Sequence, residues 1–202
     1  YQLFTASGTF TVPSGVSTVK VTMVGGGGGG ASNHRGGGSG ATAINVIIPV
    51  TSGQAIAVTV GAGGGGSVYR SSGGSGGTSS FGTYISCAGG GGAPYGSGDG
   101  YSSGTGGATP TCSYAGIFLC GGTPSKISIN SKTSEVSTDF VMPVPTICGA
   151  VNLFGLSPNT ESGASATVYG AGGNGSTAQT VKGGNGNRGF VSVVWYGGNI
   201  YV

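Results

Sequence analysis

Charge is what this sequence has least of. Only 5% of its 202 residues are Asp, Glu, Lys or Arg, and seven basic against four acidic side chains leave a net charge of +3. The cations (Lys20, Arg35, Arg70, Lys126, Lys132, Lys182, Arg188) and the acids (Asp99, Glu135, Asp139, Glu161) are scattered singly. Nucleic-acid binding rests on clustered Lys and Arg contacts to phosphate, so nucleic acid is not an expected partner. No apolar run reaches the roughly 18 residues of a membrane-crossing helix, and no signal-like basic and apolar regions open the chain. Membrane insertion is therefore not expected. Helical periodicity is also missing. The single histidine, His34, lies in a glycine-rich stretch, and none of the four cysteines stands in a CxxC pair, so a zinc site lacks both ligands and spacing. No metal or other cofactor is expected.

Glycine, by contrast, is abundant: 49 Gly and 8 Pro exceed a quarter of the chain. Such a composition is common in disordered polypeptides, but those lack apolar residues and carry high net charge. Here 36% of residues are hydrophobic and the mean hydropathy is positive, which predicts an ordered chain. A surface so poor in charge has little protection against association, which points to an oligomer.

The recurring unit is a short β-branched run followed by a glycine block. Residues 9–13 and 19–24 alternate, placing Val19, Val21 and Met23 on one face. Residues 43–48 and 55–60, joined through Ser52 and Gly53, read as a hairpin. Residues 79–81 and 83–86 read as two short strands broken at Gly82, and 189–196 as a strong terminal strand. An all-β fold follows: short strands and hairpins in a sandwich-like arrangement with packed polyglycine segments and a loop-rich tip. The chain reads as one glycine-rich domain over 1–202, with a scaffold of 8–108 and 164–196. Residues 109–163, poorer in glycine and holding three of the four cysteines and several prolines, read as an insertion. Tyr1 in place of Met suggests an excised or processed piece, and the last residues read as a natural end.

Three readings of the glycine blocks compete. As linkers they would be random coils, but a compact domain rarely holds several long structureless connections. As phosphate loops they offer GxGxxG matches that arise by chance in so glycine-rich a chain, without a G-K-[ST] or strand-loop-helix setting. As polyproline-II-like helices stacked side by side, their missing side chains let backbones approach and bond one another. The third reading is preferred.

Cys87, Cys112, Cys120 and Cys148 fit either buried thiols in a reducing compartment or two disulfides outside the cell. In the second case Cys112 pairs with Cys120 and Cys87 with Cys148. No enzymatic activity is expected. Nothing selects a nucleophile with its base, and Glu135 and Asp139, the one close acidic pair, lack the flanking aromatics of a glycosidase site. Aromatic rings in loops suit binding better, because they offer rigid contact area. The candidates are Tyr95, Asp99 and Tyr101 in the Gly-Ser loop 93–101, and Tyr114 and Phe118 between Cys112 and Cys120.

Four stretches, in order, carry a family resemblance: Gly8–Gly30 (GTFTVPSGVSTVKVTMVGGGGGG), Ala57–Gly63 (AVTVGAG), Gly77–Gly82 (GTSSFG) and Gly189–Tyr196 (GFVSVVWY). Together they resemble a glycine-rich domain of bacteriophage tail-fibre and receptor-binding tip proteins and of phage-like bacterial surface fibre adhesins. The resemblance implies an extracellular, distal recognition module, often on homotrimeric fibres, that binds a cell-surface glycan or an outer-membrane protein. The competing expectation is a purely structural fibre or assembly module with no specific ligand.

Overall fold

The computed structural model describes residues 1–32, 36–68, 70–95, 104–112, 114, 118–120, 163–176 and 181–196. Among these described residues, ten strands form two antiparallel sheets. They are β1 (Gln2–Phe4), β2 (Gly8–Thr11), β3 (Thr18–Val24), β4 (Thr42–Pro49), β5 (Ala55–Thr59), β6 (Ser79–Phe81), β7 (Ile85–Cys87), β8 (Thr111–Cys112), β9 (Phe118–Cys120) and β10 (Phe190–Val194). One sheet has the order β1-β10-β3-β4-β9 and the other β2-β5-β6-β7-β8. There is no helix among the described residues.

Alternation supplies the core. Val19, Val21 and Met23 of β3 are buried, as the pattern predicts, together with Val46 and Ile48 of β4 and Val191 and Val193 of β10. Phe10, Ile56, Val58, Phe81 and Ile85 face them from the second sheet. A bulge between Val21 and Met23 puts Asn45 at φ 51°, where its backbone N–H donates to Thr22 Oγ1 at 3.1 Å. Asn tolerates this left-handed conformation better than most residues.

The expected hairpin of 43–48 with 55–60 is not formed. β4 pairs with β3 and β9, whereas β5 pairs with β2 and β6. The connection crosses from one sheet to the other instead of folding back within one. Local bonds hold the crossing: Val12 N–H donates to Gln54 O, Gly53 N–H to Val12 O and Val50 N–H to Ser17 O. β6 and β7 do form a hairpin, turning at Gly82 with φ 52°. The stretch read as an insertion begins by contributing β8 and β9, one at the edge of each sheet. Residues 121–162 lie outside the described residues.

Cys87 and Cys112 are free thiols, which corrects the expected bridges. β8 pairs with β7 in one sheet and β9 with β4 in the other. Cys112 and Cys120 are thus on edge strands of different sheets, and the Cys112 thiol is unbridged. Cys87 is fully buried, its Sγ donating to Met23 O at 3.7 Å.

The glycine blocks are neither linkers nor phosphate loops. Gly25 and Gly28 donate to Ala41 and Gly38, Gly26 and Gly29 to Gly77 and Gly74, and Gly27 and Gly30 to Asn187 and Gly184, all at 2.8–2.9 Å. Bonds that move to a new neighbour with each residue and return after three are those of a threefold helix, the polyproline II geometry without internal hydrogen bonds. Segment 25–30 also accepts from Gly64, Ser67, Gly90, Ala93 and Gly173. Six segments therefore surround it. The bonds among them close the ring in the order 36–41, 88–93, 73–77, 61–67, 183–189 and 170–176. The bonded residue numbers run in opposite senses for 36–41, 73–77 and 183–189 and in the same sense for the other three, so direction alternates around the ring.

Most of these segments continue a strand. β3 runs into 25–30, β5 into 61–67 and β7 into 88–93, while 36–41, 73–77 and 183–189 lead into β4, β6 and β10. The lattice thus stands on one end of the sandwich. Ser79 sits at the seam, fully buried, accepting from Gly61 N–H at 3.0 Å and donating to Val24 O at 2.7 Å.

Candidate functional site

Because the strands enter the lattice at one end, the described residues that follow its segments gather at the other. These are 31–32, 67–68 with 70–73, 94–95, and 176 with 181–183. Described bonds stitch them together. Ser32 and Ser176 form a parallel bridge, and Ser176 N–H donates to Ala31 O. Gly183 N–H donates to Ser67 O, and Ser67 Oγ donates to Ser71 O at 2.6 Å. Arg70 is held at φ 63°, unusual for a residue with a side chain, and marks a constrained turn in the 67–73 loop.

Tyr95 belongs to this tip. Its backbone N–H donates to Ser72 Oγ at 2.7 Å, which fixes the main chain, while the residue remains 45% exposed. Val68 (54%) and Val181 (45%) are also exposed on tip loops. The tip thus offers apolar and aromatic surface on backbone tied to a lattice, an arrangement suited to contact with a partner. Asp99 and Tyr101, as well as His34, Glu135 and Asp139, lie outside the described residues.

Tyr114 is not brought together with Tyr95. It is half-buried against the sandwich core, its ring 6.0 Å from that of Tyr84. It ends a row of rings in which Tyr84 lies 6.2 Å from Phe81, Phe81 lies 5.8 Å from Phe10, and Phe10 lies 5.5 Å from Trp195. Tyr84 precedes β7 and Tyr95 follows segment 88–93, so a strand and a glycine helix, roughly 30 Å of chain, separate the two predicted loops. Phe118 opens β9, paired with Ile44; its side chain lies outside the description.

A family model described as a glycine-rich domain matches residues 5–199. The chain belongs to that family. The match takes in β2 to β10, the lattice and the tip residues of the glycine-rich domain together. No curated protein matches the chain.

Sequence reasoning missed one feature of this glycine-rich domain: an open groove on the lattice flank, of about 530 Å³, between residues 60–65 and 185–188 and closed by Thr5, Ala6 and Ser7. Arg188 and Asn185 are exposed along it. Their spacing of three within a glycine block was the available signal, since residues three apart lie on one face of a threefold helix.

Proposed function

We propose that this glycine-rich domain is an extracellular recognition tip, the distal piece of a homotrimeric fibre on a virion tail or cell surface, and that it binds a cell-surface glycan or outer-membrane protein. One observation carries the reading: loops bearing the exposed Tyr95, Val68 and Val181 gather at the lattice end remote from the sandwich. A lattice held by backbone bonds loses little entropy on meeting a partner, because Ser67, Tyr95, Ser176 and Gly183 at its tip are already hydrogen-bonded. Tyr95 provides the aromatic platform, with Asp99 and Tyr101 of the same loop beside it in sequence. The resemblance to phage receptor-binding fibres agrees with this assignment.

Binding to whole bacterial cells and to a glycan array tests it. Tyr95→Ala is expected to weaken binding at least tenfold, about 1.4 kcal/mol, with an unchanged melting temperature. Binding by the parent that is indifferent to Tyr95→Ala would remove the ring from the site. No binding to any cell or glycan would favour the structural assembly module.

A further inference from the structure

Packing threefold helices around a centre leaves a notch outside each pair of ring segments, and the chain fills two of these notches itself. Segment 104–107 lies against 36–39 and 88–91, with Gly104 N–H donating to Gly36 O, Gly107 N–H to Ser39 O, and Gly91 N–H to Thr105 O. Segment 163–166 lies against 174–175 and 185, with Gly163 N–H donating to Gly175 O, Asn174 N–H to Ala164 O, and Ala166 N–H to Asn185 O. The notch between 61–65 and 185–188 is instead the open groove.

Its polar groups are biased toward donors. Asn185 Oδ1 accepts from Gly66 N–H at 2.8 Å, and Asn187 Oδ1 accepts from Arg188 N–H at 2.8 Å. Both side-chain oxygens are engaged, which leaves the two amide NH2 groups to face a ligand. The Arg188 guanidinium uses Nη1 on Thr5 O at 3.2 Å and keeps its other donors. No Asp or Glu is among the described residues, so no described carboxylate neutralises it. Gly63, in the wall of the groove, is exposed and its N–H meets no acceptor in the described structure. Thr5 and Ser7 add hydroxyls, while Ala6, Val60 and Ala62 supply apolar surface. A cation beside several uncommitted N–H groups complements an oxyanion, and the hydroxyls and apolar surface suit a sugar ring.

We propose that this groove binds an oxyanion-bearing saccharide, its carboxylate or phosphate held by Arg188, the Asn185 and Asn187 amides and Gly63 N–H. The site lies beside the sandwich, a lattice length from Tyr95, so this proposal and the tip reading fail separately: Tyr95→Ala leaves groove binding unchanged.

Titrating the whole protein with a glucuronate oligosaccharide, glucose 6-phosphate, a neutral glucose oligosaccharide and inorganic phosphate, while following the Gly63, Asn185 and Asn187 NH signals by NMR, tests it. The charged sugars are expected to bind at least tenfold more tightly than the neutral one, and whichever binds better identifies the source of the oxyanion. Arg188→Gln is expected to weaken them at least tenfold. Asn187→Asp keeps an oxygen for Arg188 N–H yet repels the anion, and is expected to do the same with the melting temperature held. Equal binding of the neutral sugar, or indifference to both substitutions, overturns the proposal. Inorganic phosphate binding as tightly as the sugars overturns its saccharide part. Displacement of the same signals by a glycine hexapeptide, without dependence on Arg188, would make the groove a seat for another lattice strand.

Discussion

A methyl group on Gly28 would lie inside the Gly91 carbonyl, closer than any real Cβ contact, and each residue from Gly25 to Gly30 meets a neighbouring backbone in the same way. Backbone cannot rotate aside as a side chain can. Gly65 differs: a Cβ there finds nothing within 4 Å. Gly28→Ala is accordingly expected to cost more than about 4 kcal/mol and in practice to prevent folding. Gly65→Ala should fall within about 0.5 kcal/mol of the parent. Urea unfolding of both variants measures the contrast, and equal stabilities would contradict the close packing of the lattice. Cys87 provides a pH dependence. Burial first, and then the nearby Cys112, push its thiol from 9.0 up to about 12. The folded state therefore holds this proton more tightly than the unfolded chain. The associated stability is fully present below pH 9 and is lost as the pH rises toward 12. Thermal melts across that window should fall more steeply for the parent than for Cys87→Ala, and native Cys87 should resist a thiol reagent at pH 8 because thiolate is the reactive form.

Among the elements, the glycine segments obey a rule of three. A segment with six neighbours has no free face, and 25–30, the longest glycine run, is the central one. A ring segment has one outward face, to which every third residue returns. Ala62, Gly65 and Val68 are all exposed, as are Ser72, Ser75 and Thr78, and Lys182, Asn185 and Arg188. In these three segments the side chains at that spacing thus mark the solvent side, as alternation marks the faces of a strand, whereas Ala41, Ala93 and Ala171 of the other segments are buried. The strands were legible through that alternation in β3, β6 and β10. β1 escaped notice because three residues carry too little pattern, and the β4–β5 connection was misread because a turn signal does not specify which sheet receives the next strand. The lattice and sandwich meet at Ser79, whose hydroxyl satisfies two buried backbone groups. Ser79→Ala leaves both without a partner and is expected to cost about 1–3 kcal/mol. Calorimetry that showed no loss would mean the seam holds without that hydroxyl.

For the molecule as a whole, the amides of 25–30 have no route to solvent except separation of the lattice, since every one is bonded to a neighbouring segment and all six residues are buried. Their hydrogen exchange is expected only at the rate of global unfolding, while exposed Val68 and Val181 on the tip exchange faster. Mass spectrometry of exchanged peptides reads the difference, and rapid exchange through 25–30 would make the lattice a set of tethers. The candidate site was half legible: Tyr95, in the glycine- and serine-rich loop, was found at the tip, but Tyr114 belongs to the aromatic row of the core, and the groove went unseen. Composition and alternation by themselves determined that the chain would be all-β and that Val19, Val21 and Met23 would share the inner face, and favoured threefold helices among three readings of the glycine blocks. These follow from side-chain size and local spacing. Which sheet each strand joins, which segment each glycine bonds, which loops share an end and which notch stays open were decided only in three dimensions. The bonds that settle them join residues far apart in the chain, and a run of glycine carries no side chain to announce which way each of its amides will turn.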